Sequence, residues 1–216
     1  HNAASGISRI AREIMADIIV LGWPSRPGLI DKLVGEKVDS ILNNTEKTTF
    51  ICRLHKPLIL HKRLLIAVPP ISEREIGFDI WISKLAKLAQ ELSVPMQFYC
   101  NENTKIAVKT YLAFSKTNAN VAFTHFDDWD NFLTIGKNLH PDDLIVLVSA
   151  RQGSASYMSV LEHLPSNFEK NFNAYSYVAV YPQQFISRHT TESYGDITAE
   201  PLTRSIETIQ KIGKGI

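Results

Sequence analysis

Arg63-Leu64-Leu65-Ile66-Ala67-Val68, stopped by Pro69-Pro70, decides the fold. The run is apolar after its first residue and shows no alternation. It is too short for a core helix and describes a strand buried on both faces. Such strands belong to parallel sheets, which need helices on either side. The residues downstream provide them. Between Gly77 and Leu92, Ile80, Leu85, Leu88, Ala89 and Leu92 fall at helical spacing. Pro95 to Cys100 reads as a second strand, Thr104 to Ser115 as a helix, Asn120 to Thr124 as a third strand and Trp129 to Leu139 as a helix. Leu144 to Val148 is a fourth strand. Its loop, Ser149 to Ser156, leads to a helix ending near Phe172, and Tyr175 to Tyr181 is a fifth strand closed by Pro182. Residues 63–182 thus predict an α/β domain with a doubly wound, five-stranded parallel sheet.

The same grammar runs upstream. Ile7, Ile10, Ala11, Ile14 and Met15 are spaced as on a helix, and Asp17-Ile18-Ile19-Val20-Leu21 is a short apolar strand. A turn-rich loop, Gly22 to Gly28, precedes a helix with Leu29, Leu33, Val34, Val38, Ile41 and Leu42 on one face, and Thr48 to Arg53 is the next strand. Residues 1–54 read as the last third of another copy of the same unit, a partial second copy lacking its front. Residues 55–62 read as a linker. Residues 183–216 read as a polar, partly mobile tail in which Ile206, Ile209 and Ile212 line a weak helix.

Composition narrows the function classes. A net charge of +1 does not provide the broad basic surface of a non-specific nucleic-acid binder, so no nucleic-acid partner is expected. Cys52 and Cys100 sit in apolar, strand-like runs and read as buried thiols of a reducing compartment. No apolar run approaches the ~20 residues that span a bilayer. The opening, His1 to Ile7, enters a helical pattern almost at once and reads as the middle of a longer protein.

Ala16-Asp17-Ile18-Ile19-Val20-Leu21-Gly22, followed by a glycine loop, resembles the universal stress protein family, whose fold is adenine nucleotide alpha hydrolase-like. In that family a G-x2-G-x9-G-S/T loop wraps the ribose and phosphates of a nucleotide. Here the pattern falls on Gly22, Ser25, Gly35 and Glu36: the outer glycines match, and Ser25 and Glu36 depart. A narrower resemblance runs along the chain in order. Asn2-Ala3-Ala4-Ser5-Gly6-Ile7, Val20-Leu21-Gly22-Trp23, Leu147 to Gly153, Leu164-Pro165 and Val180-Tyr181-Pro182-Gln183 are similar to the tandem stress-protein tail of monovalent cation:proton antiporters. That resemblance implies a soluble domain on the cytoplasmic face of the inner membrane, partnered by the membrane domain of a sodium (or potassium)/proton antiporter. Stress proteins commonly pair through the last strand. The resemblance therefore implies that Thr48–Arg53 and Tyr175–Tyr181 meet within or between chains, with a homodimer through these strands as the expected assembly.

Gly22, Ser25, Gly28 and Gly35 in the first loop, and Arg151, Gly153 and Ser154 in the second, are the candidate nucleotide- or anion-binding residues. A glycine loop before a helix presents free N–H groups to phosphate. Both loops are degenerate. Ser25 restricts backbone angles open to glycine, Glu36 sets a negative charge where phosphate would lie, and the second loop has one glycine. Arg151 with Ser154 and Ser156 is suited to gripping an anion; alternatively Arg151 pairs with a carboxylate and the serines cap the following helix. His55, His61, His125, His140, His163 and His189 lie on separate elements, and Asp127 and Asp142 read as helix caps. No catalytic set and no metal-ligand spacing is present, and no cofactor is expected beyond a weakly held nucleotide or anion. The expectation is a non-catalytic regulatory or dimerisation domain. The alternative is a stand-alone nucleotide-binding stress protein.

Overall fold

Strands that are apolar on both sides must be covered on both sides, and the chain folds to do so. The structure, a computed structural model, describes residues 3–23 and 31–185. These lie within one compact unit, His1–Phe185. The tail from residue 186 onward and the loop positions Ser25 and Gly28 fall outside the described residues. Along the chain come α1 (Ala3–Glu13), β1 (Ile18–Gly22), α2 (Asp31–Asn44), β2 (Thr48–Arg53), β3 (Arg63–Ala67), α3 (Phe78–Leu92), β4 (Met96–Cys100), α4 (Glu102–Phe114), β5 (Val121–His125), β6 (Asp143–Val148), α5 (Val160–Asn171) and β7 (Ser176–Tyr181).

The sheet has seven strands in the order β1-β2-β7-β6-β3-β4-β5. Every neighbouring pair is parallel except β2 with β7. Leu64, Ile66, Phe98, Val146 and Val180 turn to one face, where Trp81, Ile82 and Leu85 of α3 and Val108 of α4 bury them. Leu65, Tyr99, Ile145 and Tyr177 turn to the other, under Leu161 and Leu164 of α5 and the aromatic group Trp129–Phe132. Ile51 and Ala179 join that second face beneath Val38 and Leu42 of α2. One ion pair sits at the root of the sheet. Arg63 donates through Nε and Nη2 to both oxygens of buried Asp143, at 2.9 and 2.6 Å. The bidentate bond holds β3 in register with β6.

The doubly wound α/β architecture read from 63–182 is present, but it is part of a wider sheet. Thr48–Arg53 and Tyr175–Tyr181 pair with each other inside the chain, antiparallel, with Ile51 opposite Ala179. The physical reason is strand cover: two apolar edges would otherwise expose their N–H and C=O groups. A local twofold relation about the Ile51–Ala179 pair follows. Trp23 N–H donates to Cys52 O at 2.7 Å as Ser149 N–H donates to Val180 O at 2.8 Å. His55 N–H donates to Ser176 Oγ and Gln183 N–H to Thr48 Oγ1, both at 3.0 Å.

Two segments depart from their sequence reading. The expected linker 55–62 carries a 3-10 turn at Leu58–Leu60, and its His61 is buried. Lys56 reaches the Pro141 carbonyl and the Asp142 carboxylate, so this stretch is tied to the sheet rather than hanging between units. The expected helix Trp129–Leu139 is a 3-10 segment, Phe132–Asn138. Gly136, a poor helix former, lies there against the Phe172 ring, which a Cβ would approach to 2.6 Å.

Candidate functional site

In an open α/β sheet the ligand crevice lies beyond the carboxyl ends of the strands, where the strand order reverses. Here that point lies between β3 and β6. The chain leaves β3 toward β4 and β5 on one side, and leaves β6 toward β7 on the other. Two loops flank the crevice: residues 68–77 after β3 and 149–159 after β6.

The loop after β6 holds Arg151, Gly153 and Ser154. Gly153 has φ of +82°, a conformation that favours glycine, and turns the chain back on itself. Ser154 donates through both N–H and Oγ to the Arg151 carbonyl, at 3.1 and 2.7 Å. The Arg151 guanidinium points away from the crevice and across the local twofold. It donates to Leu42 O at 2.8 Å, to Lys47 O at 2.6 Å and to Thr45 O. The last carbonyls of a helix have no partners within it, and the negative end of the helix dipole lies there. Arg151 supplies both the donors and the positive charge for the end of α2 and the turn into β2. Burial lowers its pKa to about 10, against the pull of Tyr181 and Glu46, so it stays cationic at neutral pH. Among the described residues its hydrogen-bond acceptors are three backbone oxygens.

The serines do not cap the following helix, as one sequence reading had it. Ser156 donates through N–H and Oγ to Glu75 Oε1, at 2.7 and 2.8 Å. Glu75 belongs to the loop after β3, so this contact ties the two crevice loops together. A parallel brace joins the same loop to α4, where Thr104 Oγ1 donates to Glu73 Oε2 at 2.9 Å. At the start of α3, a Cβ on Gly77 would lie 2.2 Å from Gln183 N, so the chain leaving β7 passes directly over that glycine. The tie through Glu75, the brace through Glu73 and the passage of Gln183 were not legible in the sequence. Isolated acids in a turn carry no periodic signal, and nothing local marks a contact made by the other end of the chain.

The first loop is described only at its ends. Gly22 closes β1, where a Cβ would meet no described atom within 4 Å, and Gly35 lies within helix α2. The structure therefore does not bring Gly22 and Gly35 together with Arg151, Gly153 and Ser154 into one described cradle.

His61, His125 and His140 make separate contacts. His125 Nε2 lies 2.8 Å from Asp127 on the exposed margin of β5, and Asp128, not Asp127, accepts the N–H of Asn131. His61 Nδ1 faces Leu58 O, while the His140 N–H meets Asp143 Oδ2. Asp142 caps no helix; its carboxyl is held below the usual range by the hydrogen bond from Lys56. Burial pushes the Cys52 thiol up to about 11 and the Cys100 thiol up to about 12, which keeps both protonated and unreactive at neutral pH. Among the described residues no three His, Cys, Asp or Glu side chains form a metal-binding group. No helix among them is long and apolar enough to cross a membrane.

Neither a family model nor a curated protein matches this chain. Solved structures do. A functionally unknown protein from Pseudomonas aeruginosa PAO1 superposes with a TM-score of 0.51 at 11% identity, over 83% of this chain and 68% of its own. A universal stress protein from Archaeoglobus fulgidus DSM 4304 gives 0.48 at 11% identity, over 84% and 66%. At these identities the likeness is one of fold. The class is an α/β fold with a doubly wound, mostly parallel sheet, and its structural neighbours include stress-protein-like chains.

Proposed function

We propose that this chain is a non-catalytic regulatory or interaction module on a stress-protein-like fold, serving the cytosolic side of a membrane sodium (or potassium)/proton antiporter. One observation carries the non-catalytic part. The polar groups that a ligand would need at the head of β6 are committed to the chain's own atoms: Arg151 to three carbonyls, Ser154 to Arg151 O and Ser156 to Glu75. Rebuilding that crevice around a nucleotide would break a partly buried, charge-assisted network. The antiporter part is supported by the ordered sequence resemblance from Asn2 to Gln183.

The stand-alone nucleotide-binding reading draws on a different feature, the backbone at Gly22, where a Cβ would meet no described atom within 4 Å. Isothermal calorimetry with ATP, AMP and a cyclic dinucleotide separates the two. We expect no heat of binding at micromolar concentrations. Micromolar ATP binding that Gly22→Val abolishes would establish the nucleotide-binding reading instead. Co-purification of the chain with an antiporter membrane domain, compared with an unrelated transporter, tests the assignment of the partner.

A further inference from the structure

The segment Arg53-Leu54-His55-Lys56-Pro57-Leu58-Ile59-Leu60-His61-Lys62-Arg63 carries four cations, four aliphatic residues and no acid. Its fold separates anchors from tip. Leu60 N–H donates to Pro57 O and His61 N–H to Leu58 O, both at 3.0 Å. Leu58 packs on the α3 face of the core, and His61 is buried. Lys56 and Arg63 are bonded to Asp142 and Asp143. With the stem held in this way, Leu54, Ile59 and Leu60 stand 45%, 65% and 52% exposed. The tip of a turn presents such side chains to a surface, where their removal from water is favourable.

Charge along the strand axis decides which surface. The connections at this end of the sheet join β2 to β3 and lead into β4, β5, β6 and β7. Their described residues, with the strand ends that abut them, carry Arg53, Lys56, Lys62, Arg63 and Lys116 against Asp142 and Asp143. Lys62 and Lys116 are exposed. The described connections at the opposite end carry Asp17, Glu46, Glu73, Glu75 and the run Asp127-Asp128-Trp129-Asp130 against Lys47, Arg74 and Arg151. A chain of net charge +1 is thus positive at one end of its sheet and negative at the other. That polarity turns the exposed aliphatic tip toward an anionic surface. A nucleic-acid backbone would meet the cations and leave Ile59 and Leu60 in water. A bilayer with anionic headgroups accepts both, the cations at its phosphates and the aliphatic side chains at its acyl boundary.

We propose that the turn Leu58–Leu60, with Leu54 and Lys62 beside it, docks this chain on the surface of an anionic lipid bilayer. Ile59, Leu60 and Leu54 enter the headgroup boundary, and Lys62 meets lipid phosphate. The acidic end then faces away from the membrane. The contact is reversible, because three aliphatic side chains bury less than an acyl anchor does. This goes beyond the regulatory reading: it needs anionic lipid and no particular transporter.

The test mixes the full chain with sucrose-loaded vesicles of phosphatidylglycerol and phosphatidylcholine in equal parts and measures co-sedimentation. Half of the chain is expected to bind by about 1 mM accessible lipid at an ionic strength of about 0.05 M, and to leave at about 0.5 M. Vesicles of phosphatidylcholine alone retain less than about a tenth as much. Lys62→Glu weakens binding at least about tenfold, and Ile59→Ser combined with Leu60→Ser abolishes it. Arg74→Glu makes the same charge change at the opposite end and leaves binding within about twofold. All four positions are exposed, and circular dichroism checks that each variant keeps its fold. Absence of co-sedimentation overturns the proposal, as does equal binding to neutral vesicles or an equal loss in Arg74→Glu. Binding that the Ile59 and Leu60 substitutions leave unchanged overturns it too, by reducing the site to charge alone. A dimer in sedimentation velocity that those two substitutions dissolve does the same, by giving the turn to a second copy. ATP binding by calorimetry would defeat the regulatory reading without altering the vesicle result.

Discussion

Arg151 shows how a residue chosen for one chemistry can be spent on another. Its type and its place after a strand are those of an anion ligand, and its hydrogen bonds go to Leu42, Thr45 and Lys47 carbonyls. Removing it strands partly buried acceptors, and such acceptors cost free energy when unpaired. Arg151→Ala is expected to lower stability by about 2–4 kcal/mol, and Arg151→Lys by less, because an ammonium retains the charge but not the fork. Urea unfolding measures both. Equal stability of Arg151→Ala and the native chain would show that the guanidinium is dispensable to the α2–β2 turn. Glu75 belongs at the same scale. It accepts two hydrogen bonds from Ser156, and its presence explains why the loop after β6 is held in place with only one glycine.

The start of α3 depends on a residue with no side chain. Gly77 precedes Phe78, and the backbone of Gln183 passes where a Cβ would be. The chain after β7 is in turn held by Gln183 N–H to Thr48 Oγ1 and by Gln184 N–H to Glu46 O at 3.1 Å. Backbone anchored at both ends cannot yield as a flexible side chain can. Gly77→Ala therefore forces helix and strand exit apart, with an expected loss of about 1–3 kcal/mol, the cost of overpacking a close contact. Thermal melting of the variant checks it; an unchanged midpoint would mean that the exit segment moves aside freely. Strand boundaries, by contrast, follow local chemistry. β3 ends at Ala67, shortly before Pro69-Pro70 removes two backbone donors, and β7 ends at Tyr181 before Pro182.

At the scale of the whole molecule, β2 and β7 join the upstream strands to the five that follow. Ile51 is 1% exposed and Ala179 0%, and each lies between hydrogen-bonded strands. The described core residues Val38, Leu42, Phe50 and Ile51 therefore share their clusters with the strands that follow. Unfolding is expected to be one cooperative transition, with tryptophan fluorescence and far-ultraviolet circular dichroism giving the same midpoint in urea. Trp81 and Trp129 report on opposite faces of the sheet, Trp81 with the α3 layer and Trp129 with the α5 layer. Two resolved midpoints would show that the upstream strands detach first.

Local chemistry determined the elements. Continuous apolar runs such as Leu64 to Val68 and Leu144 to Val148 state that a strand is buried on both faces, and helical spacing from Ile80 to Leu92 states what buries it. Those signals need only near neighbours, so the α/β class and nearly every strand were readable from residue order. Tertiary structure alone decided the merger of two strand sets into one sheet, the turning of Arg151 toward a helix end, and the closing of the crevice by Glu75. Each depends on groups far apart in the chain meeting in space, and a linear pattern does not record which donor finds which acceptor.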